Sequence, residues 1–187
     1  MDPVRAVAPA GKTDRQILRE VLAAAGLPAD PSSDEVARWE QAACRVYDRL
    51  ERDEVPRDEA VAGLLERLRD DGHELALVTG NLEPIARRKL GVRGLGEYFP
   101  PGRGGFGSDA DLRPQLVPLA RKRAGGRPPH DTIVIGDTPA DVAAAAADGV
   151  RAIAVTGRLY DRTALRDAGA WAVVDELSEV EALVEAR

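Results

Sequence analysis

The sequence predicts an α/β protein whose parallel sheet is covered by helices on both faces. From about residue 56 onward, apolar strand patterns alternate with amphipathic helix patterns, which is the order of successive βαβ units. The patterns "ELALVTG", "TIVIGD", "RAIAVTG" and "WAVVDEL" are largely apolar along their length, as expected for strands buried on both faces. Residues 12–55 lie outside this alternation and are expected to form a small helical subdomain.

Two helix patterns come before the alternating region. Residues 1–11 show no usable period and are expected to be a mobile lead-in. The pattern "TDRQILREVLAAAGL" predicts a helix that begins with a capping box of Thr13 and Gln16. The pattern "SSDEVARWEQAACRVYDRLERD" predicts a second helix, with Ser32 and Glu35 as its capping box.

The elements of the alternating region carry their own stop and start signals. Gly72 ends the first helix, and Pro84 is well placed in the first turn of the next. A glycine-rich segment then contains a possible short strand near Phe106. The helix patterns are "RDEAVAGLLERLRDD", "EPIARRKLG", "LRPQLVPLARKRAG", "PADVAAAAADG", "RTALRDAGA" and a last short one after "WAVVDEL".

Composition and charge exclude several classes of protein. The net charge of −6 and the pI near 5.1 argue against a nucleic-acid partner, which would call for a basic surface. No apolar run is long enough to cross a membrane, and the N-terminus has no signal-peptide pattern. Cys44 is the single cysteine, so it can form no internal disulfide, and its apolar surroundings favour a packed side chain. We therefore expect a cytoplasmic protein.

Polar side chains follow two of the predicted strands at the point where each strand ends. "ELALVTGN" ends in Thr79, Gly80 and Asn81, and "TIVIGD" ends in Asp137. In an open parallel sheet, ligands bind in the crevice beyond these carboxyl ends. A hydroxyl and backbone N–H groups can hold phosphoryl oxygens, and a nearby carboxylate can hold Mg²⁺ with phosphate as co-ligand.

Purely structural roles explain part of the same pattern. Thr138, Pro139 and Asp141 make a good helix start, with a threonine N-cap, a proline at the first position and an acid at the third. Thr79 and Asn81 are also common turn residues. Asp137 is different, because its charge directly follows a buried apolar strand and needs a partner, which favours a functional role.

Taken together, three stretches resemble a known family. "LVTGN", then a basic residue before "PQLVPLA", then "IVIGDTPADV" are similar in order and spacing to motifs II, III and IV of the haloacid dehalogenase-like hydrolases. "AGKTDRQIL" is similar to the cap start of phosphoglycolate-phosphatase-like and β-phosphoglucomutase-like members. The resemblance implies a Rossmann-like core over residues 56–187 and a partial helical cap over residues 12–55.

The resemblance also implies roles for the residues that end the strands. Thr79 would be the hydroxyl that binds the transferring phosphoryl group, with the backbone of Gly80 and Asn81 beside it. Asp137 would be the Mg²⁺ ligand.

Three further residues take roles by the same resemblance. Arg113 would be the cation near the phosphoryl group, although the family more often uses lysine and residues 121–123 are also basic. Asp141 would orient the metal site or that cation. Lys12, at the cap start, would bind an anionic substrate. The alternative is that Lys12 is simply an exposed lysine beside a helix start.

The family's nucleophile motif is not among these residues. The resemblance implies an Asp-x-Asp pair after an apolar first strand, but Asp2 has no preceding strand, and Asp109 and Asp111 come too late. That strand would be central, so its absence predicts neighbouring strands about 10 Å apart instead of about 4.8 Å. We interpret the chain as an N-terminally truncated form; the alternative is a true loss in which the two neighbours pair directly.

The expected function follows from the resemblance. It is a Mg²⁺-dependent phosphomonoester hydrolase that acts on a small phosphorylated metabolite through an aspartyl-phosphate intermediate, represented here without its nucleophile. Removal of halogen is a minor option within the family. The alternatives are a catalytically inactive binding or regulatory domain that keeps an anion pocket, or a gene fragment. The sequence leaves the substrate and the oligomeric state open.

Overall fold

The computed structural model describes residues 2–49, 57–157 and 159–186. Strands and helices alternate in it as predicted. The described helices are α1 (Asp14–Ala24), α2 (Ser33–Arg49), α3 (Glu59–Asp70), α4 (Glu83–Val92), α5 (Leu116–Arg123), α6 (Pro139–Ala147), α7 (Arg162–Asp167) and α8 (Val180–Glu185). The described strands are β1 (Leu77–Thr79), β2 (Gly104–Phe106), β3 (Ile133–Gly136), β4 (Arg151–Val155) and β5 (Ala172–Val174).

All strand pairs in the described residues are parallel, so the predicted fold class is confirmed. β1 pairs with β2, and β3, β4 and β5 form a second sheet in that order. Helices cover both faces of the second sheet. Alternate side chains of β4 show this, because Ala152 and Ala154 pack toward α6 and α7, whereas Ile153 packs toward α3 and α8.

Both predicted helix starts are capped, but only Ser32 and Glu35 form the predicted capping box, because the Gln16 side chain donates to Glu20 at 3.0 Å instead. The Thr13 side chain accepts a hydrogen bond from the Gln16 N–H at 3.0 Å. The Ser32 N–H donates to the Glu35 carboxylate at 2.9 Å, and the Glu35 N–H donates to the Ser32 hydroxyl at 3.4 Å. Each pair satisfies backbone N–H groups that a helix start leaves without a partner. The predicted end of the second helix, at residues 50–53, lies outside the described residues.

The predicted burial of the strands is wrong for two of them. β1 is only three residues long and none of them is fully buried, and Ile135 in the middle of β3 is 39% exposed. The physical reason is that no hydrogen bond joins β1 to β3 in the described chain. A cavity of about 470 Å³, lined by residues 76–78 and 132–135, separates the two strands, and we call it the β1–β3 cleft.

The first two helices also lack a closed core in the described part of the chain. α1 and α2 have strong apolar faces, but neither helix has a fully buried side chain, and Val46 is 59% exposed. α2 packs against α4, where half-buried Cys44 lines a second cavity instead of a packed interior. None of the described helices has the length and apolar character needed to span a bilayer.

An ion pair between Asp109 and Arg123 fixes β2 against α5. The Arg123 guanidinium donates to both carboxylate oxygens at 2.6 and 2.8 Å and also to the Gly104 carbonyl at 2.8 Å. The Phe106 N–H donates to Asp109 at 2.9 Å. The hydrogen bonds from Arg123 are the main cause that lowers the pKa of Asp109 below its ordinary value. Asp109 therefore has a structural role.

We predict that Asp109 supports the fold above about pH 4 and loses this effect in acid. A lowered folded-state pKa means that stabilisation is complete above the unfolded value and disappears as the pH falls through the folded value. In urea unfolding, the loss of unfolding free energy caused by Asp109→Asn should therefore become smaller as the pH falls from 7 to 3. Asp167→Asn, at the exposed end of α7, is the control. A deficit that stays constant with pH would contradict the prediction.

Candidate functional site

The loop after β1 is held as a tight turn. The Asn81 N–H donates to the Thr79 hydroxyl oxygen at 3.2 Å, and Lys89 donates to the Asn81 side-chain oxygen at 2.7 Å. The turn role weighed for Thr79 and Asn81 is therefore present. It does not exclude phosphoryl binding, because a hydroxyl that accepts one hydrogen bond still has its own O–H to donate.

The cap start lies directly on this loop. Gly80 is buried against the backbone of Lys12, so a side chain at position 80 would collide with the Lys12 carbonyl. The Gly80 carbonyl accepts a hydrogen bond from the Asp14 N–H at 2.7 Å. Gly80 is therefore required by a close approach of two backbones.

Asp14 makes the most direct link between the cap and this loop, and sequence reasoning did not single it out. Its carboxylate accepts hydrogen bonds from the Leu82 N–H at 2.8 Å and from the Asn81 side-chain amide at 3.4 Å. The Leu82 N–H belongs to the start of α4, where a carboxylate is favoured. The sequence signal was only an acid in the first turn of a helix, which is too common to predict a tertiary contact.

Arg113 and Asp141 form a largely buried ion pair beside the end of β3. Arg113 donates from Nε to Asp141 Oδ1 at 2.9 Å, and a second guanidinium nitrogen contacts the same oxygen. Asp141 is only 6% exposed, and its Oδ2 accepts from the Thr138 N–H at 3.1 Å and the Thr138 hydroxyl at 2.8 Å. Asp141 therefore caps α6 and holds Arg113 at the same time.

The other basic residues near Arg113 are engaged elsewhere. Arg121 donates to both carboxylate oxygens of Asp148 at 2.9 and 3.0 Å, and Arg123 pairs with Asp109 as described above. Lys122 is exposed. The geometry thus favours Arg113 over residues 121–123, and its role as the catalytic cation stays a prediction.

Asp137 does not need the partner that its position suggested. The residue is exposed, and no ion pair or hydrogen bond to its carboxylate is formed by the described residues. Its Oδ2 lies near Gly157, where a Cβ would be 3.8 Å away. An exposed carboxylate without a protein partner can accept a hard cation such as Mg²⁺.

The charge of Lys12 is paired within the N-terminal region. Its ammonium group forms an ion pair with Glu20, and this hydrogen bond is the main cause that lowers the pKa of the Glu20 carboxyl. Gly11, just before it, packs on Ala140 so closely that a Cβ would lie 2.6 Å from the alanine Cβ. The consecutive residues 11 and 12 thus contact both the start of α6 and the loop after β1, which brings the two halves of the candidate site to one edge.

Comparison with known families identifies the class of protein. The family model described as "haloacid dehalogenase-like hydrolase" matches residues 7–149. The chain belongs to the haloacid dehalogenase-like hydrolases.

Solved structures show the same fold at low sequence identity. A candidate β-phosphoglucomutase from Thermotoga maritima aligns with a TM-score of 0.62 at 23% identity, covering 98% of this chain and 80% of that one. A hydrolase from Pseudomonas syringae gives 0.64 at 19% identity, covering 98% and 88%. CbbY from Rhodobacter sphaeroides, in complex with xylulose-(1,5)bisphosphate, gives 0.63 at 20% identity, covering 87% and 74%.

Curated relatives that are named as kinases have a higher sequence identity to this chain than these solved structures have. Tyrosine-protein kinase PtkA of Mycobacterium tuberculosis and of Mycobacterium bovis is 33% identical over 129 residues, which is 68% of this chain. The chain spans only 44% of the length of these relatives.

We predict that Arg113→Ala destabilises the fold strongly, because it leaves the carboxylate of Asp141 buried without its cation. Breaking one partner of a buried pair costs on the order of 3 kcal/mol. Arg88→Ala is the matched control, since Arg88 pairs with Asp48 at the surface, where such a pair contributes less than about 1 kcal/mol. Chemical denaturation measures both. Equal losses of unfolding free energy in the two variants would contradict the interpretation of Arg113 and Asp141 as a buried ion pair.

Proposed function

We propose that this chain is part of a Mg²⁺-dependent phosphomonoester hydrolase that forms an aspartyl-phosphate intermediate. One observation carries the proposal: residues 11 and 12 contact both the Thr79–Asn81 loop and the start of α6, next to the Arg113–Asp141 pair. The Thr79 hydroxyl follows β1, whereas the Asp137 carboxylate and the Arg113 guanidinium lie at the end of β3. This donor set suits a phosphoryl group and a hard cation.

Several residues of the chain would bind the phosphoryl group or position its ligands. Thr79 donates its O–H to one phosphoryl oxygen, and the backbone of Gly80 and Asn81 lies beside it. Arg113 offers the guanidinium N–H groups that Asp141 does not use. Asp141, held by Thr138, fixes the position of Arg113 instead of binding the ligand itself.

The metal would be held by Asp137. Its exposed carboxylate has no partner in the described residues and offers oxygen ligands of the type that Mg²⁺ prefers. When bound, Mg²⁺ neutralises charge on the phosphoryl oxygens. Asp141 is a poor competitor for the ion, because both of its oxygens already accept hydrogen bonds.

The nucleophile of this reaction would come from outside the 187 residues. An aspartate carboxylate attacks phosphorus, the ester oxygen leaves with a proton from a second acid, and water then hydrolyses the acyl phosphate. The proposed substrate is a small phosphorylated metabolite, and Lys12 is proposed to bind its anionic part. A cytoplasmic location belongs to the same proposal.

We predict that the 187-residue chain alone hydrolyses a generic aryl phosphate no faster than background, with or without Mg²⁺. The reason is that no Asp-x-Asp pair follows an apolar strand in these residues. A phosphate-release assay measures this. Turnover that depends on Mg²⁺ and is abolished by Asp137→Asn would show that another residue of the chain acts as nucleophile.

Binding of Mn²⁺, as a paramagnetic substitute for Mg²⁺, tests the metal site without any need for turnover. We expect line broadening of the amide signals around Asp137 and loss of this broadening in Asp137→Asn. Asp71, Glu181 and Glu185 form a surface acidic cluster that could also attract the ion, so Glu185→Gln is the matched control. Broadening that survives Asp137→Asn but not Glu185→Gln would refute Asp137 as the ligand.

A second candidate function is transfer of a phosphoryl group to a protein tyrosine. It is favoured by the 33% identity to the relatives named as tyrosine-protein kinases. Incubation with radiolabelled ATP and a tyrosine-containing protein separates the two activities, because a kinase labels the protein whereas a hydrolase releases inorganic phosphate. The non-catalytic alternative, a binding domain with an anion pocket, predicts binding of phosphate without either product.

A further inference from the structure

Thr13, at the start of α1, is a polar side chain that is completely buried, with 0% exposure. Its hydroxyl oxygen accepts a hydrogen bond from the Gln16 N–H at 3.0 Å, and its hydroxyl hydrogen is donated to the main-chain carbonyl of Asp111. Capping a helix requires only the accepting oxygen. The hydroxyl of Thr13 therefore has a second role, a tertiary contact with a segment 98 residues further along the chain.

Asp111 begins the segment that carries Arg113. Its carboxylate pairs with Arg19 of α1 at 2.9 Å, so both the main chain and the side chain of Asp111 are held by α1 and its N-cap. Two residues further on, Arg113 opens a short helical turn and donates to Asp141 at 2.9 Å. Arg113 is therefore placed from two directions, by α1 through Asp111 and by Asp141 directly.

The residue after Thr13 holds the other half of the proposed site. The Asp14 N–H donates to the Gly80 carbonyl at 2.7 Å, and the Asp14 carboxylate accepts from the Leu82 N–H at 2.8 Å. The same carboxylate accepts from the Asn81 side-chain amide at 3.4 Å. Adjacent Cα atoms are about 3.8 Å apart, so two neighbouring residues that bind two segments also fix the distance between those segments.

We propose that Thr13 and Asp14 are positioning residues of the phosphoryl site. They hold the Thr79 hydroxyl and the Arg113 guanidinium at a separation at which both reach one tetrahedral oxyanion. Neither positioning residue contacts the anion, and both act through the hydrogen bonds that fix the two segments. Donors that are fixed before binding need less ordering when the ligand arrives, so the affinity is higher. The inference rests on the proposed function, which assigns Thr79 and Arg113 to the same phosphoryl group.

The start of α2 shows what helix capping alone requires. Ser32 is exposed, and in the described residues its hydroxyl forms hydrogen bonds only with Glu35 of the same capping box. Asp34, in the first turn of α2, is also exposed, and its carboxylate forms no ion pair or hydrogen bond with a described residue. A helix start therefore needs neither the burial of Thr13 nor the tertiary contacts of Asp14. Ser32→Ala and Asp34→Ala are the matched controls, because they alter a helix start away from the proposed site.

The test uses the full 187-residue chain and inorganic phosphate as the probe, followed through the amide signals of residues 79–81 in an NMR titration. We expect saturable binding by the wild-type chain. Thr13→Val keeps the shape of the side chain but not the hydroxyl, and we expect it to bind phosphate about tenfold more weakly. Thr13→Ser keeps the hydroxyl but lacks the methyl group, so it should restore the affinity. Ser32→Ala should leave the affinity unchanged.

Asp14 provides a second pair of variants, which decides the question if Thr13→Val fails to fold by circular dichroism. Asp14→Ala removes the acceptor of the Leu82 N–H, whereas Asp14→Asn retains a side-chain oxygen that can accept this hydrogen bond. We expect the alanine variant to bind phosphate about tenfold more weakly. The asparagine variant and Asp34→Ala should retain most of the affinity.

Thr79→Val shows whether a failure lies in the site or in its positioning. If Thr79→Val weakens phosphate binding and the variants Thr13→Val and Asp14→Ala do not, the positioning inference is wrong and the proposed function stands. If Thr13→Ser loses as much affinity as Thr13→Val, the inference is also wrong, because the hydroxyl then has no role. If the wild-type chain binds no phosphate, or if Thr79→Val leaves binding unchanged, the proposed phosphoryl site is wrong and the inference is overturned with it.

Discussion

The structure depends on one constraint, the need of strand edges inside a parallel sheet for a hydrogen-bonded neighbour. β1 and β3 each have such a neighbour on one side only, and the space between them is the β1–β3 cleft. This single gap accounts for the short β1, the exposure of Ile135 and the division into two sheets. β4, in contrast, is paired on both sides, and its residues Ala152, Ile153 and Ala154 are fully buried. Pairing on both sides thus accompanies complete burial of a strand.

Across this gap, the cap start connects the two halves of the candidate site. Gly11 packs on Ala140, and Asp14 accepts hydrogen bonds from Leu82 and Asn81. Thr13 is fully buried, where its hydroxyl caps α1 and donates to the carbonyl of Asp111. The loop after β1 is therefore held to the start of α1 by hydrogen bonds, and the start of α6 is held by the packing of Gly11 on Ala140, not by a continuous sheet.

Local patterns predicted local structure well, because capping boxes and apolar periods act within a few residues of their own position. The caps at Thr13 and Ser32 and the parallel fold class were predicted in this way. The exposure of Asp137 was not, since it depends on how neighbouring elements pack around the end of β3. The partners of Asp14 and Lys12 were equally beyond sequence patterns, because a charged side chain near a helix start has many possible neighbours and only the packed chain selects one.

Hydrogen exchange of the chain alone tests the central claim most directly. If β1 and β3 border an open cleft, the amides of these strands that point into it should exchange orders of magnitude faster than those of β4, which lies between two paired neighbours. Amides of β3 directed toward β4 should be as slow as those of β4 itself. Uniformly slow exchange throughout β1 and β3 would contradict the account, because it would mean that the two strands pair with each other or with another segment of the chain.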